Sequence, residues 1–114
     1  MAERDIREDR KWARLAAGMV ATSTGHGADR LMRKGARGAA LKQARWMTLY
    51  LAHTSLGWSQ ARVAAAFGIT DRTVGRACQA IEDDRDDPLV DAILAALDRS
   101  LREIVAASRA GRGI

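Results

Sequence analysis

Apolar residues recur at three- and four-residue spacing along most of this chain, and no run shows the period-two alternation of Val, Ile and Thr that strands need. Over residues 6–22 the pattern is carried by Trp12, Leu15, Ala16, Met19 and Val20, with Arg10, Lys11 and Arg14 around them. The stretch TSTGHGADRLMRKGARG that follows holds glycines and basic residues and reads as a loop, with at most a short helical turn around Leu31 and Met32. A second long helix is predicted over residues 39–55. Leu41, Ala44, Met47, Leu49, Tyr50, Leu51 and Ala52 cover much of its circumference, so it belongs at the centre of the core. Gly57 ends it, and Ser59 is placed to N-cap the next segment.

The acidic run IEDDRDDP fits a loop leading into a last helix, because a helix C-terminus already favours cations. Pro88 suits the first turn of that helix. Over residues 89–108 it carries Val90, Leu94, Leu97, Leu101 and Ile104 in one stripe, widened by Leu89, Ile93 and Val105. The stripe is too short for a coiled coil and is expected to close the core. The pattern predicts an all-α, helix-turn-helix domain of about five helices. Its parts are an N-terminal helix and basic loop (1–35), a helix-turn-helix core (36–85) and a C-terminal helix that closes the core or docks a partner (86–114).

The helix-turn-helix lies in QARVAAAFGITDRTVGRAC, residues 60–78. Such a motif needs a small residue where two helices cross, a glycine in the turn and apolar inner faces. Val63, Ala64 and Phe67 face inward on the first helix, with Ala64 at the crossing, and Gly68 can take the left-handed turn. Ile69 packs under the turn, and Thr70 caps a second helix with Val74, Ala77, Cys78 and Ile81 on its inner face. Asp71, Arg72, Thr73, Gly75, Arg76 and Gln79 are left facing outward. An ordinary helical hairpin shares the glycine and the apolar spacing. It leaves the two outward arginines, Gly75 and the basic flank unexplained.

Charge sharpens this picture. The net charge of +5 divides unevenly: residues 30–76 hold nine Lys/Arg and one Asp, whereas residues 82–98 hold seven Asp/Glu and one Arg. A basic middle beside an acidic segment suggests one surface for a polyanion and another that avoids it. The longest apolar run is six residues, far short of the ~20 that span a bilayer, and the charged opening MAERDIREDR lacks the apolar core of a secretory signal. The single Cys78 reads as a reduced, buried packing residue of a cytoplasmic protein. His26 sits in a glycine-flanked loop with no second ligand at metal-binding spacing, and His53 reads as a capping or packing residue. Two distant histidines and one cysteine make no nucleophile–base pair, so an enzyme is not expected, and neither is a cofactor, a metal or a small-molecule ligand.

The residues also resemble the C-terminal DNA-binding domain of the bacterial replication initiator DnaA, a Trp-repressor-like helix-turn-helix. The likeness rests on LYL at 49–51, Ser59, FG at 67–68, DRTV at 71–74, AC at 77–78 and Ile81, and it extends back to Arg45 and Arg37. It covers about residues 36–81. Two departures stand out. The chain is one residue shorter between Gly68 and Val74, and Arg72 stands where that family has a His, so the initiator's own box sequence is not the expected target. No GxxxxGK[ST] loop for an ATPase is present. The chain is similar as well to the N-terminal part of the alphaproteobacterial gene transfer agent activators of the GafA/GafY type. That resemblance implies transcription activation with RNA polymerase and a sigma-factor-like protein as partners.

The expected function is therefore sequence-specific binding of double-stranded DNA as a transcription regulator in the cytoplasm, at the nucleoid. Asp71, Arg72, Thr73, Arg76 and Gln79 are the major-groove candidates. The resemblance to DnaA puts Arg37 in the minor groove. Arg33, Lys34, Lys42, Arg45, Ser59, Arg62 and Thr70 are the phosphate candidates. The alternative is a protein-interaction module, an anti-activator or adaptor, that uses the apolar stripe of the last helix.

Overall fold

The computed structural model describes residues 5–32 and 38–112. Six helices follow in order: α1 (Ile6–Thr24), α2 (Ala28–Met32), α3 (Ala39–Thr54), α4 (Gln60–Phe67), α5 (Asp71–Asp84) and α6 (Pro88–Arg112). Among the described residues there is no strand. The sixth helix is the short α2, which grows from the turn expected at Leu31 and Met32. Leu31 is fully buried there, so packing fixes a segment that its glycine-rich surroundings would leave as loop.

Local chemistry sets most helix ends. Asp5, Ser59 and Thr70 each accept a backbone N–H from the first turn of the helix they precede, relieving donors that have no partner inside the helix. Gly25 and Gly68 close α1 and α4 in the left-handed conformation.

α3 is the central element and packs against each of the other five helices. Every residue from Met47 to Ala52 is buried, which is why its apolar positions ran around the whole circumference. On one side, α1, α2 and α6 bring Ala16, Ala17, Val20, Leu31, Leu94, Leu97 and Leu101 against Met47, Tyr50 and Leu51. On the other, α4 and α5 bring Val63, Ala64, Phe67, Val74 and Ala77 against Leu49 and Ala52. Ala13, Ala16 and Ala17 are wholly buried on α1, and their small size lets that helix lie close to its neighbours. The stripe of α6 does close the core through Leu94, Leu97 and Leu101, but its ends, Leu89 and Ile104, are exposed.

Two expectations need correction. Cys78 is only half buried, because it lies at the edge of the inner face of α5 rather than on its centre line. The acidic run is not all loop: Glu82, Asp83 and Asp84 form the last turn of α5. Tertiary donors offset the unfavourable end charge. Tyr50 Oη donates to Glu82 Oε2 (2.6 Å), and Gln43 Nε2 donates to Asp84 Oδ2 (3.1 Å). Arg85, at the helix end, reaches Tyr50 Oη (3.1 Å) and Asp91 Oδ1 (2.6 Å). Pro88 begins α6 as the sequence predicts, and Asp87 caps it by accepting the Leu89 N–H.

Candidate nucleic-acid interface

The turn between α4 and α5 is built on one carbonyl. Ala64 O accepts from the N–H groups of both Gly68 and Ile69, and Gly68 takes φ 68°, where a side chain would be strained. Ala64 itself is 3% exposed, and the inner face beyond it continues through Val74, Ala77 and Ile81, all fully buried. Two short helices are thus held at a fixed angle by a glycine turn, with one side of α5 turned out.

On that outer side Asp71, Arg72, Arg76 and Gln79 are exposed. Positions 72, 76 and 79 fall on one line of the helix, at four- and three-residue steps. Thr73 is half buried, and its hydroxyl is 2.9 Å from Thr70 Oγ1, so part of its bonding capacity lies within the cap. Gly75 does not simply face solvent. The carboxamide of Gln60, the first residue of α4, lies over it.

The phosphate candidates differ in their surroundings. Ser59 and Thr70 are exposed caps whose oxygens accept the N–H groups of Arg62 and Thr73; the Ser59 hydroxyl proton is left able to donate outward, whereas the Thr70 hydroxyl also pairs with that of Thr73. Lys42 is exposed with its ammonium 4.5 Å from the Trp46 ring centroid. Arg45 is half buried, and that burial lowers its pKa from the ordinary guanidinium value. Arg33 and Lys34, like the minor-groove candidate Arg37, lie outside the described residues.

Arg62 stands apart. Its Nε and Nη2 bind Asp9 Oδ2 and Oδ1 at 3.0 and 2.9 Å, and its guanidinium lies 4.5 Å from the Trp58 ring centroid. The guanidinium is held by an internal carboxylate through Nε and Nη2, so this phosphate candidate also joins α4 to α1. Nothing in the sequence signals this, since Asp9 lies 53 residues earlier. His53 serves as a packing residue by donating from Nδ1 to Trp58 O (2.7 Å), which ties the loop before α4 to α3.

No protein-family model matches the chain, and no curated protein matches it. Solved structures do. A crystal structure of a DNA replication initiation factor superposes with a TM-score of 0.73 at 19% identity, over 85% of this chain and 30% of that one. The replication initiator DnaA bound to AMPPCP and single-stranded DNA gives a TM-score of 0.72 at 17% identity, with the same two coverages. The fold is DnaA-like.

The chain therefore spans about a third of the structures it matches, and at these identities the likeness is one of fold. It agrees with the expected all-α helix-turn-helix architecture of the DnaA C-terminal domain. It extends beyond the residues 36–81 that carried the sequence resemblance, since 85% of the chain superposes. Among the described residues no helix is long and apolar enough to cross a membrane, and no three His, Cys, Asp or Glu side chains are grouped to hold a metal ion.

Proposed function

We propose that this chain is a non-enzymatic, sequence-specific double-stranded DNA-binding protein that regulates transcription. The observation that carries the reading is the exposed line Arg72, Arg76 and Gln79 on α5. The Gly68 turn and the Thr70 cap hold that line outward within a DnaA-like fold. Arginine forks match the paired acceptors of guanine in the major groove, and glutamine matches adenine. The resemblance of the sequence to gene transfer agent activators supports a finer version. In that version the protein activates gene transfer agent or phage-like genes at the nucleoid, together with RNA polymerase and a sigma-factor-like partner.

Competition binding with specific and scrambled duplexes tests the reading. Arg72→Ala and Arg76→Ala should each cost about 1–3 kcal/mol on the specific site and relax its preference. Lys42→Ala should weaken all duplexes about equally and reduce the salt dependence. If both classes of variant behave alike, α5 is not the reading helix.

The protein-interaction alternative keeps one supporting observation. Leu89 is 68% exposed and Ile104 39%, at the two ends of the α6 stripe. The middle of that stripe is buried in the core, so little apolar surface is left for a partner. DNA binding is the better supported of the two.

A further inference from the structure

Gly75 is an unexpected residue for the middle of α5. Glycine weakens a helix interior relative to alanine, and its backbone here is not in the left-handed region that would require it. What the missing side chain makes room for is a neighbour. A Cβ on Gly75 would stand 3.3 Å from Oε1 of Gln60, and 3.9 Å from both the carboxamide carbon and Nε2. Gln60 is the first residue of α4 and is exposed. Its side chain forms no hydrogen bond among the described residues.

The place matters as much as the contact. At 3.6 residues per turn, position 75 lies about 60° around the helix from Arg72 and about 40° from Gln79. The Gln60 carboxamide thus rests beside the exposed line of α5, at a position where α5 has no side chain of its own. In a helix-turn-helix the first helix crosses the DNA backbone while the second enters the major groove. A group that starts on α4 and ends over α5 sits between those two, at the edge of the groove.

We propose that Gln60 is a DNA-contacting residue whose carboxamide N–H donates to a phosphate oxygen at the groove edge, and that Gly75 is the positioning residue that keeps its place open. This rests on the DNA-binding reading above. The reading surface is then composite: α5 supplies the groove-facing side chains, and α4 supplies the donor over the glycine gap. Replacing Gly75 by alanine moves the carboxamide, because 3.3 Å is too close for an unshifted contact and a flexible side-chain end yields first.

A double-mutant cycle on the full chain tests this, with affinity for specific and scrambled duplexes and thermal stability as readouts. Gln60→Ala should weaken both duplexes alike by about threefold to tenfold, the worth of one hydrogen bond. Gln60→Glu should weaken them further, since a carboxylate there repels a phosphate. Gly75→Ala should raise Tm by a few degrees through helix propensity and still lower affinity. In the Gln60→Ala background the same Gly75→Ala change should leave affinity unaltered. Several results would overturn the proposal: wild-type affinity for Gln60→Ala, a loss confined to the specific duplex, or an equal Gly75→Ala loss in both backgrounds. The last would mean that the glycine makes room for DNA itself. A wild-type chain without salt-dependent duplex binding would instead remove the DNA-binding reading, and the role of Gln60 with it.

Discussion

Asp9 and Arg62 lock α1 to α4 through two parallel hydrogen bonds, with the carboxylate side chain 6% exposed and the guanidinium 30%. The guanidinium also lies over the Trp58 ring, 4.5 Å from its centroid. The pair orients the first helix of the helix-turn-helix against a segment more than fifty residues away in sequence. A planar guanidinium is needed for this, since it alone offers two parallel donors and a face to stack.

Arg62→Ala should therefore lower stability on the order of 3 kcal/mol, by leaving a buried carboxylate without its counter-charge. Arg62→Lys should recover only part of it. Asp9→Leu with Arg62→Met should be markedly more stable than Arg62→Ala alone, because no buried charge is stranded. Denaturant unfolding of the variants checks the order. A fully stable Arg62→Ala protein would mean that the pair does not hold α1 to α4.

Ala64→Leu tests the helix crossing. Ala64 is 3% exposed where α4 meets α5, and its carbonyl holds the turn. Three added carbons overpack the site, and the expected loss is about 1–3 kcal/mol. A thermal melt reads it directly. Unchanged Tm would mean that the two helices have room to spare there.

Tyr50 should make the α3–α5 junction sensitive to alkali. Burial raises its phenol pKa, and the bond to Glu82 raises it further, against a smaller lowering by Arg85. A group whose folded pKa lies above its unfolded value, here about 10, stabilises the fold fully below the unfolded value. That stability is lost as pH rises through the folded pKa. The chain has one tyrosine, so phenolate absorbance reports this site alone. The midpoint in the folded protein should exceed that in denaturant. Glu82→Gln should bring it down part of the way, because burial remains the larger cause.

Arg37 lies outside the described residues, and its role comes from the sequence resemblance. An arginine in a narrow minor groove gains from the enhanced negative potential of A·T-rich DNA. Arg37→Ala should therefore cost more affinity on a site with an A·T-rich flank than on one with a G·C-rich flank. Arg37→Lys should rescue it only in part, since an ammonium is more strongly hydrated. Equal losses on the two flanks would make this residue a phosphate contact.

The sequence by itself determined five of the six helices and the turn, because the signals for them are local. Periodic apolar positions show which face is buried, and a Ser, Thr or Gly shows a cap within one turn of the backbone groups it serves. Ser59, Gly68 and Thr70 could be placed with no knowledge of the rest of the chain, and the structure has them in those roles. Tertiary structure decided which polar groups meet. Arg62 and Arg72 look alike in sequence, yet Arg62 turns inward to Asp9 while Arg72 stays exposed. Glu82 and Asp84 looked wrong for a helix end until Tyr50 and Gln43 supplied donors. Gly75 looked like an outward gap until Gln60 was found lying over it. Such pairings depend on how segments far apart in the chain pack around α3. No periodicity encodes them, because a charge or a carboxamide has the same local propensity whichever partner the fold brings to it.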